Sequence, residues 1–124
     1  MYSFMLVGIG GFLGAISRFG ISQVVRSYIS HPFPAATMLV NVLGCFALGG
    51  LLEYFREHQL LPAATLLGAV GFLGSFTTFS AFSFETLVLI RNDDFRMATL
   101  NIVGNLVLCI GAIVFGGWVG GSLK

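Results

Sequence analysis

The chain consists of long apolar runs separated by short polar breaks. Polar residues and prolines cluster at residues 30–32, 56–59 and 91–94. The apolar runs between them cover approximately residues 2–28, 34–55, 61–90 and 95–123. Each run supplies the about 20 residues that a helix needs to cross a hydrocarbon core roughly 30 Å thick. Backbone groups in lipid must bond internally, and the period-two alternation of a barrel is absent. The pattern therefore predicts one all-α domain of four transmembrane helices.

Composition supports a surface that faces lipid. Hydrophobic residues make up 56% of the chain and charged residues 9%, whereas about a quarter of a soluble domain is charged. The net charge of +1 gives no electrostatic reason to expect nucleic acid as a partner. The first run lacks a basic leader and is followed by three comparable runs, so we expect it to remain in the mature protein.

The third run contains an unusual cluster of small and hydroxyl residues. Between residues 71 and 83 it contains Gly71, Gly74 and five serines or threonines. Glycine weakens a helix by about 1 kcal/mol relative to alanine, and hydroxyl side chains offer the backbone competing hydrogen bonds. The cluster indicates a helix break near the midplane, whose freed carbonyls could hold a cation such as Na⁺. Ordinary close packing of helices through small residues remains an alternative.

Glycines are also dense in the other runs. Gly10 and Gly14 form a GxxxG step in the first run, and four glycines lie near the end of the fourth, between residues 116 and 121. Helices rich in small residues approach each other closely in membranes. This favours tight packing and association into an oligomer.

Amide side chains occur within the second and fourth apolar runs. Asn41 lies near the centre of the second run, where it must either clamp another helix or face a water-filled path. In the fourth run a polar or small stripe occupies one helical face, as a pore wall or as a buried contact. This stripe consists of Asn101, Asn105, Cys109, Ala112 and Gly116.

An aromatic stripe lies in the third run. Phe79 and Phe82 are three residues apart and share a helical face, which Phe76 and Phe72 continue. Such a stripe is usually packing. The alternative is chemical, because the edge of an aromatic ring is positive and clustered rings can present their edges to a small anion.

Few groups in the runs carry charge or known reactive chemistry. Glu85 is either an interfacial anchor or a vestibule group, and Arg18 either snorkels outward or attracts anions towards a vestibule. Cys45 and Cys109 lie in apolar segments, where a thiol behaves as a small hydrophobe, and their spacing suggests no metal site. The chain has no catalytic motif, so we do not expect an enzyme.

The distribution of basic residues gives a weak orientation signal. With four spans, Arg56 and Lys124 lie on one side of the membrane and Arg26, Arg91 and Arg96 on the other. So small a bias does not fix the topology under the positive-inside rule. The chain is therefore a candidate for insertion in both orientations and for antiparallel pairing.

Three segments together resemble a known family. Residues 10–19, 37–44 and 71–85 are similar in sequence and order to the CrcB, or Fluc, family of bacterial fluoride channels. The third segment is the most specific. The resemblance implies a multi-pass protein of the bacterial inner membrane that exports cytoplasmic fluoride passively, as an antiparallel homodimer with two pores.

The resemblance also implies roles for individual residues. The backbone carbonyls of Gly74 and Thr77 in each subunit would hold a central structural Na⁺ that is not transported. The fluoride pore would include the ring edges of Phe79 and Phe82. The other residues implied at the pore are Asn41, Ser80, Asn101 and Asn105, and those implied at the vestibule are Arg18 and Glu85. Asn101 and Asn105 depart from the family pattern, in which a tyrosine and then a serine are common at these positions.

Two other functions are alternatives to a channel. A small four-helix proton-coupled multidrug antiporter would share the size and the dual topology, but it needs an ionisable group at membrane depth. The first run has no acidic residue, and Glu85 lies near the end of the third. A non-transporting scaffold would use Asn41 and the polar stripe only to hold helices together.

Overall fold

A computed structural model of the chain describes residues 1–29, 33–58 and 62–122, without the side chains of residues 57 and 58. The predicted start of the third run at residue 61 and the predicted end of the fourth at residue 123 lie outside the described residues. The elements in chain order are α1 (Tyr2–Tyr28), α2 (Ala35–His58), α3 (Pro62–Ala64), a π-helix (Thr65–Leu73), α4 (Gly74–Phe76), α5 (Phe79–Arg91) and α6 (Phe95–Ser122).

Four stretches of this helical chain are long and apolar enough to cross a membrane. They are Tyr2–Tyr28, Ala35–Arg56, Pro62–Arg91 and Phe95–Ser122, and the stretch Pro62–Arg91 is called the third span below. No strand occurs in the described part of the chain. The prediction of an all-α protein with four membrane-spanning segments is therefore confirmed.

The second helix extends beyond its predicted end. The sequence placed this end near Phe55, before the polar cluster, whereas α2 continues to His58. Arg56 lies one helical turn after Glu53, and the two side chains form an ion pair. Pairs at this spacing stabilise a helix surface, so the charged residues continue the helix.

The helices pack as two pairs whose backbones touch through glycine. Helix α1 packs on the π-helix and α2 packs on α6. A Cβ atom at Gly14 would overlap the carbonyl oxygen of Phe72, and one at Gly116 would overlap that of Phe46. The GxxxG step at Gly10 and Gly14 is therefore used within a single chain, where both glycines meet the third span.

The outer surface of the protein is strongly apolar. Large hydrophobic side chains are exposed on α1, α5 and α6, among them Phe4, Phe12, Phe84, Val107 and Val114. Burial of apolar surface stabilises a soluble protein by about 25 cal/mol per Å², so such a protein would bury these side chains in its core. Exposed here, they fit a surface covered by lipid or by another protein.

The third span changes its backbone geometry twice. Its first half is mainly π-helical, and Gly68 and Gly71 lie in that stretch. Thr77 (φ −77°, ψ 157°) and Thr78 (φ −150°, ψ 115°) are extended, and α5 begins at the next residue. The two threonines thus separate the helical geometry before them from that of α5.

Glycine contact between α2 and α6 can be tested with two substitutions in one helix. Gly116→Ala should lower stability by about 1–3 kcal/mol, because the added methyl group overlaps the α2 backbone. Gly111→Ala is the control, since a Cβ there meets nothing within 4 Å, and it should be neutral or stabilising. Thermal unfolding in detergent, followed by size-exclusion chromatography, measures both. Equal midpoints for the two variants would contradict glycine-mediated packing.

Candidate functional site

The Asn41 side chain holds the backbone of the third span at Thr78. Its Nδ2 donates to the Thr78 carbonyl at 3.2 Å, and its Oδ1 accepts from the Thr78 N–H at 2.8 Å. Both residues are buried. A buried backbone group without a partner costs about 1–3 kcal/mol, so the carboxamide replaces bonds that a continuous helix would have made. Asn41 is therefore the residue that satisfies the chain where it is extended.

This pairing changes the hydrogen bonding of two carbonyls. In an α-helix the N–H of residue 78 would donate to the carbonyl of Gly74, but here it donates to Asn41. Likewise the Ala81 N–H, the α-helical donor for Thr77, donates at 3.2 Å to the Thr78 hydroxyl, which caps α5. The carbonyls of Gly74 and Thr77 thus lack their α-helical donors.

A buried amide network extends from Asn41 into α6. Asn41 Nδ2 also donates to Asn105 Oδ1 at 3.2 Å, and Asn105 Nδ2 donates to Asn101 Oδ1 at 2.9 Å. Asn101 Nδ2 donates to the Thr86 hydroxyl at 2.9 Å, and this hydroxyl donates to the Phe82 carbonyl at 2.7 Å. The polar stripe of α6 therefore binds α2 and α5 through side chains whose amides are paired.

A groove of about 250 Å³ lies next to this network, between α2, α6 and the extended threonines. Four of the predicted pore residues line it: Asn41, Phe79, Phe82 and Asn105. Asn101 is 1% exposed and, like Ser80, does not line the groove. Ser80 lies on the subunit surface within hydrogen-bond distance of the Thr78 hydroxyl (3.1 Å).

Two phenylalanine rings form one wall of the groove. The ring centroids of Phe79 and Phe82 are 5.2 Å apart, and their planes are tilted by 48°. Phe82 is 9% exposed, whereas Phe79 is 75% exposed and projects from the subunit. Tilted rings present positive edges as well as faces to a shared space. The wall can therefore interact with an anion without a buried cation.

Glu85 lies in a separate and larger cavity. This cavity, of about 580 Å³, is lined by Arg26, Glu85 and Asn92 together with apolar residues of α1, α2 and α5. Glu85 Oε1 accepts a hydrogen bond from the Thr37 hydroxyl at 2.9 Å and lies 3.4 Å from Arg26 Nη2. Arg18 is half-buried in α1 and lines neither the groove nor this cavity.

Several residues at these sites were not predicted as functional. Thr78 and Thr86 are essential links of the network, and Thr37 and Arg26 contact Glu85. Thr78 directly precedes the helical run that begins at Phe79, and threonine is a favoured N-cap. This position could have indicated from the sequence that Thr78 caps α5. The contacts of Thr86, Thr37 and Arg26 depend on helix pairing, which spacing along the chain does not reveal.

The role of Asn41 in holding Thr78 can be tested by hydrogen exchange. Asn41→Ala removes the acceptor of the Thr78 N–H, so the amide of Thr78 should exchange at least about tenfold faster. Ser83→Ala is the control, because its exposed hydroxyl bonds only within α5, to the Phe79 carbonyl. Exchange mass spectrometry on detergent-solubilised protein measures both. Unchanged exchange at Thr78 in Asn41→Ala would contradict the pairing.

Comparisons with known proteins place the sequence in a family. It matches the family described as "CrcB-like protein, Camphor Resistance (CrcB)" over residues 5–117. A Dehalococcoides mccartyi protein named "Fluoride-specific ion channel FluC" is 38% identical over 125 residues, covering 100% of this chain and 96% of the relative. A protein of the same name from Campylobacter lari is 40% identical, covering 94% of this chain and 92% of its own.

A third relative agrees with these two. "Fluoride-specific ion channel FluC 1" of Bacillus cereus is 42% identical over 110 residues, which cover 85% of this chain and 80% of the relative. The matched residues include the third span with Thr77, Thr78, Phe79 and Phe82. The chain therefore belongs to the CrcB family.

Proposed function

We propose that this protein is a fluoride-specific ion channel, not an enzyme, and a multi-pass protein of the bacterial inner membrane. The observation that carries the proposal is the family membership. Relatives named as fluoride-specific channels match from 85% to 100% of the chain. Four membrane-spanning segments and a groove that combines amides with aromatic edges are consistent with it.

The chemistry of the groove suits a small anion that must lose water. Fluoride would exchange its hydration shell for ring edges of Phe79 and Phe82 and for a polar group at Asn41 or Asn105. Asn41 Nδ2 donates to Thr78 and Asn105, and Asn105 Nδ2 donates to the carbonyl and Oδ1 of Asn101, so one of these bonds would have to open for an amide to donate to the ion. Chloride is larger and would fit such a site poorly.

We further propose that two copies assemble antiparallel, with two pores. Gly74, Phe79 and Ser80 are exposed on the subunit surface within the third span. Lipid cannot satisfy the Gly74 carbonyl, which lacks its α-helical donor, whereas a second copy can cover it. Phe79, at 75% exposure, would then reach into a pore shared with the partner.

We propose that the extended pair Thr77 and Thr78 is a functional break that holds a central structural Na⁺. The carbonyls of Gly74 and Thr77 have lost their α-helical donors to Asn41 and to the Thr78 hydroxyl. Two such carbonyls from each of two opposed subunits would offer four oxygen ligands, which suit a hard cation. The donor set therefore fits Na⁺. Its role would be to join the subunits, with no part in conduction.

Four of the predicted residues lie outside the groove. Glu85, in its wide cavity with Arg26, would belong to the vestibule. Ser80 would lie close to the ion path through its contact with Thr78. Asn101, which is fully buried, would act on the pore by holding the Asn105 side chain in place. Arg18 would reach the vestibule once two copies have assembled.

Fluoride export by a channel is passive. Hydrogen fluoride is a weak acid that enters a cell neutral, dissociates in the more alkaline cytoplasm and is trapped as the ion. A selective leak lowers internal fluoride because the inside-negative potential drives the anion out.

Proteoliposomes loaded with potassium fluoride test the proposed function directly. A fluoride electrode should record efflux that requires the potassium carrier valinomycin, because a channel moves net charge. Vesicles loaded with potassium chloride should show no chloride efflux above the background when a chloride electrode is used. Obligatory exchange of protons for an organic cation, without fluoride efflux, would instead support the coupled multidrug antiporter, and absence of both activities would support a scaffold.

Phe82→Ile tests the ring edges in the same assay. Isoleucine keeps a large apolar side chain but removes the positive edge, so fluoride efflux should fall by about 100-fold while the protein still elutes as a dimer. Phe4→Ile serves as the matched control, since Phe4 is exposed near the start of α1 and lies outside the groove. Equal efflux from both variants would remove the aromatic mechanism.

A further inference from the structure

The two cysteines of the chain meet at the groove. Cys45 lies on α2 and Cys109 on α6, and both line the groove beside Asn41, Asn105 and Phe82. Because both side chains line one groove of about 250 Å³, the two sulfurs can reach a single ion placed between them. Neither cysteine is in a disulfide, and the chain has no others. Helix packing thus creates a thiol pair that the spacing along the sequence conceals.

The donor set selects a particular kind of metal ion. Sulfur ligands prefer soft ions. No third histidine, cysteine, aspartate or glutamate joins the pair within the part of the chain that the structure describes, so the four ligands of a structural zinc ion are missing. A soft ion that accepts two ligands fits better. A divalent one is favoured, because two thiolates cancel its charge and no net charge is left in the apolar surroundings.

We propose that Cys45 and Cys109 form a binding site for a two-coordinate, divalent soft ion of the Hg²⁺ class, and that its occupancy blocks the groove. This inference rests on the proposed channel function for the block, although not for the binding. Each S–H bond breaks as its sulfur forms a bond to the ion, and two protons leave to solvent. No electrons are transferred, so no oxidant is required.

Occupancy would obstruct the path in two ways. The bound ion would occupy part of a groove of about 250 Å³ next to Asn41 and Asn105. It would also tether α2 to α6 through Cys45 and Cys109, which prevents those helices from adjusting around a passing ion. A single thiol can bind mercury as well, but it lacks the second ligand, whose high effective concentration makes the bridged form tight.

The test adds mercuric chloride to purified full-length protein and to the same protein in liposomes. The wild type should retain one mercury per chain after desalting and lose both titratable thiols. Its fluoride efflux, relative to its own metal-free value, should fall by at least about tenfold and recover with a dithiol. Cys45→Ala and Cys109→Ala should each need at least about tenfold more mercury for the same block, and the double variant should be insensitive.

Other outcomes distinguish failure of the paired site, of the block and of the proposed channel function. Single variants as sensitive as the wild type would overturn the paired site. Full efflux with one mercury bound per chain would overturn the block. A protein without efflux before mercury is added would fail the proposed function, while its mercury stoichiometry and thiol count would still test the pair.

Discussion

The pairing of the Asn41 carboxamide with the backbone of Thr78 is the interaction on which the site depends. Two hydrogen bonds at 3.2 and 2.8 Å allow an extended pair of residues to exist inside a membrane-spanning segment, where water cannot satisfy the backbone. The same pairing occupies the donor that the Gly74 carbonyl would otherwise use. It also anchors the amide network through Asn105 and orients α5, and with it Phe79 and Phe82. One side chain thus connects the fold, the candidate cation ligands and the aromatic wall of the groove.

Close glycine packing makes this arrangement possible. A Cβ at Gly44 would overlap the Thr77 side chain, and Gly14 and Gly116 let neighbouring backbones touch. In lipid no hydrophobic effect drives helices together, so close contact and internal hydrogen bonds must supply the stability. The subunit uses its glycines for its own packing, while polar groups at Gly74 and Ser80 remain on its surface. A second copy would complete the structure there.

The sequence predicted the four spans well, because length and apolarity decide which segments cross a membrane. It also indicated that Asn41 and the stripe of Asn101 and Asn105 must contact protein or water. It did not distinguish hydrogen bonds between helices from the lining of a pore. The structure gives Asn41 and Asn105 a place at the groove as well as bonds to other helices. Cys45 and Cys109 line the same groove, and Glu85 contacts Thr37. Both arrangements join residues distant in sequence, which periodicity within one helix cannot reveal.

A structure of the purified protein in lipid nanodiscs, at a resolution that shows bound ions, would show whether two broken third spans meet around one ion. Samples would be prepared in sodium and in a bulky organic cation. In sodium, we expect two antiparallel copies with one ion density among the carbonyls of Gly74 and Thr77 from both subunits; in the organic cation, we expect no such density. A third span covered by lipid at Thr77, with Thr78 bonded to Gly74 instead of Asn41, would contradict it.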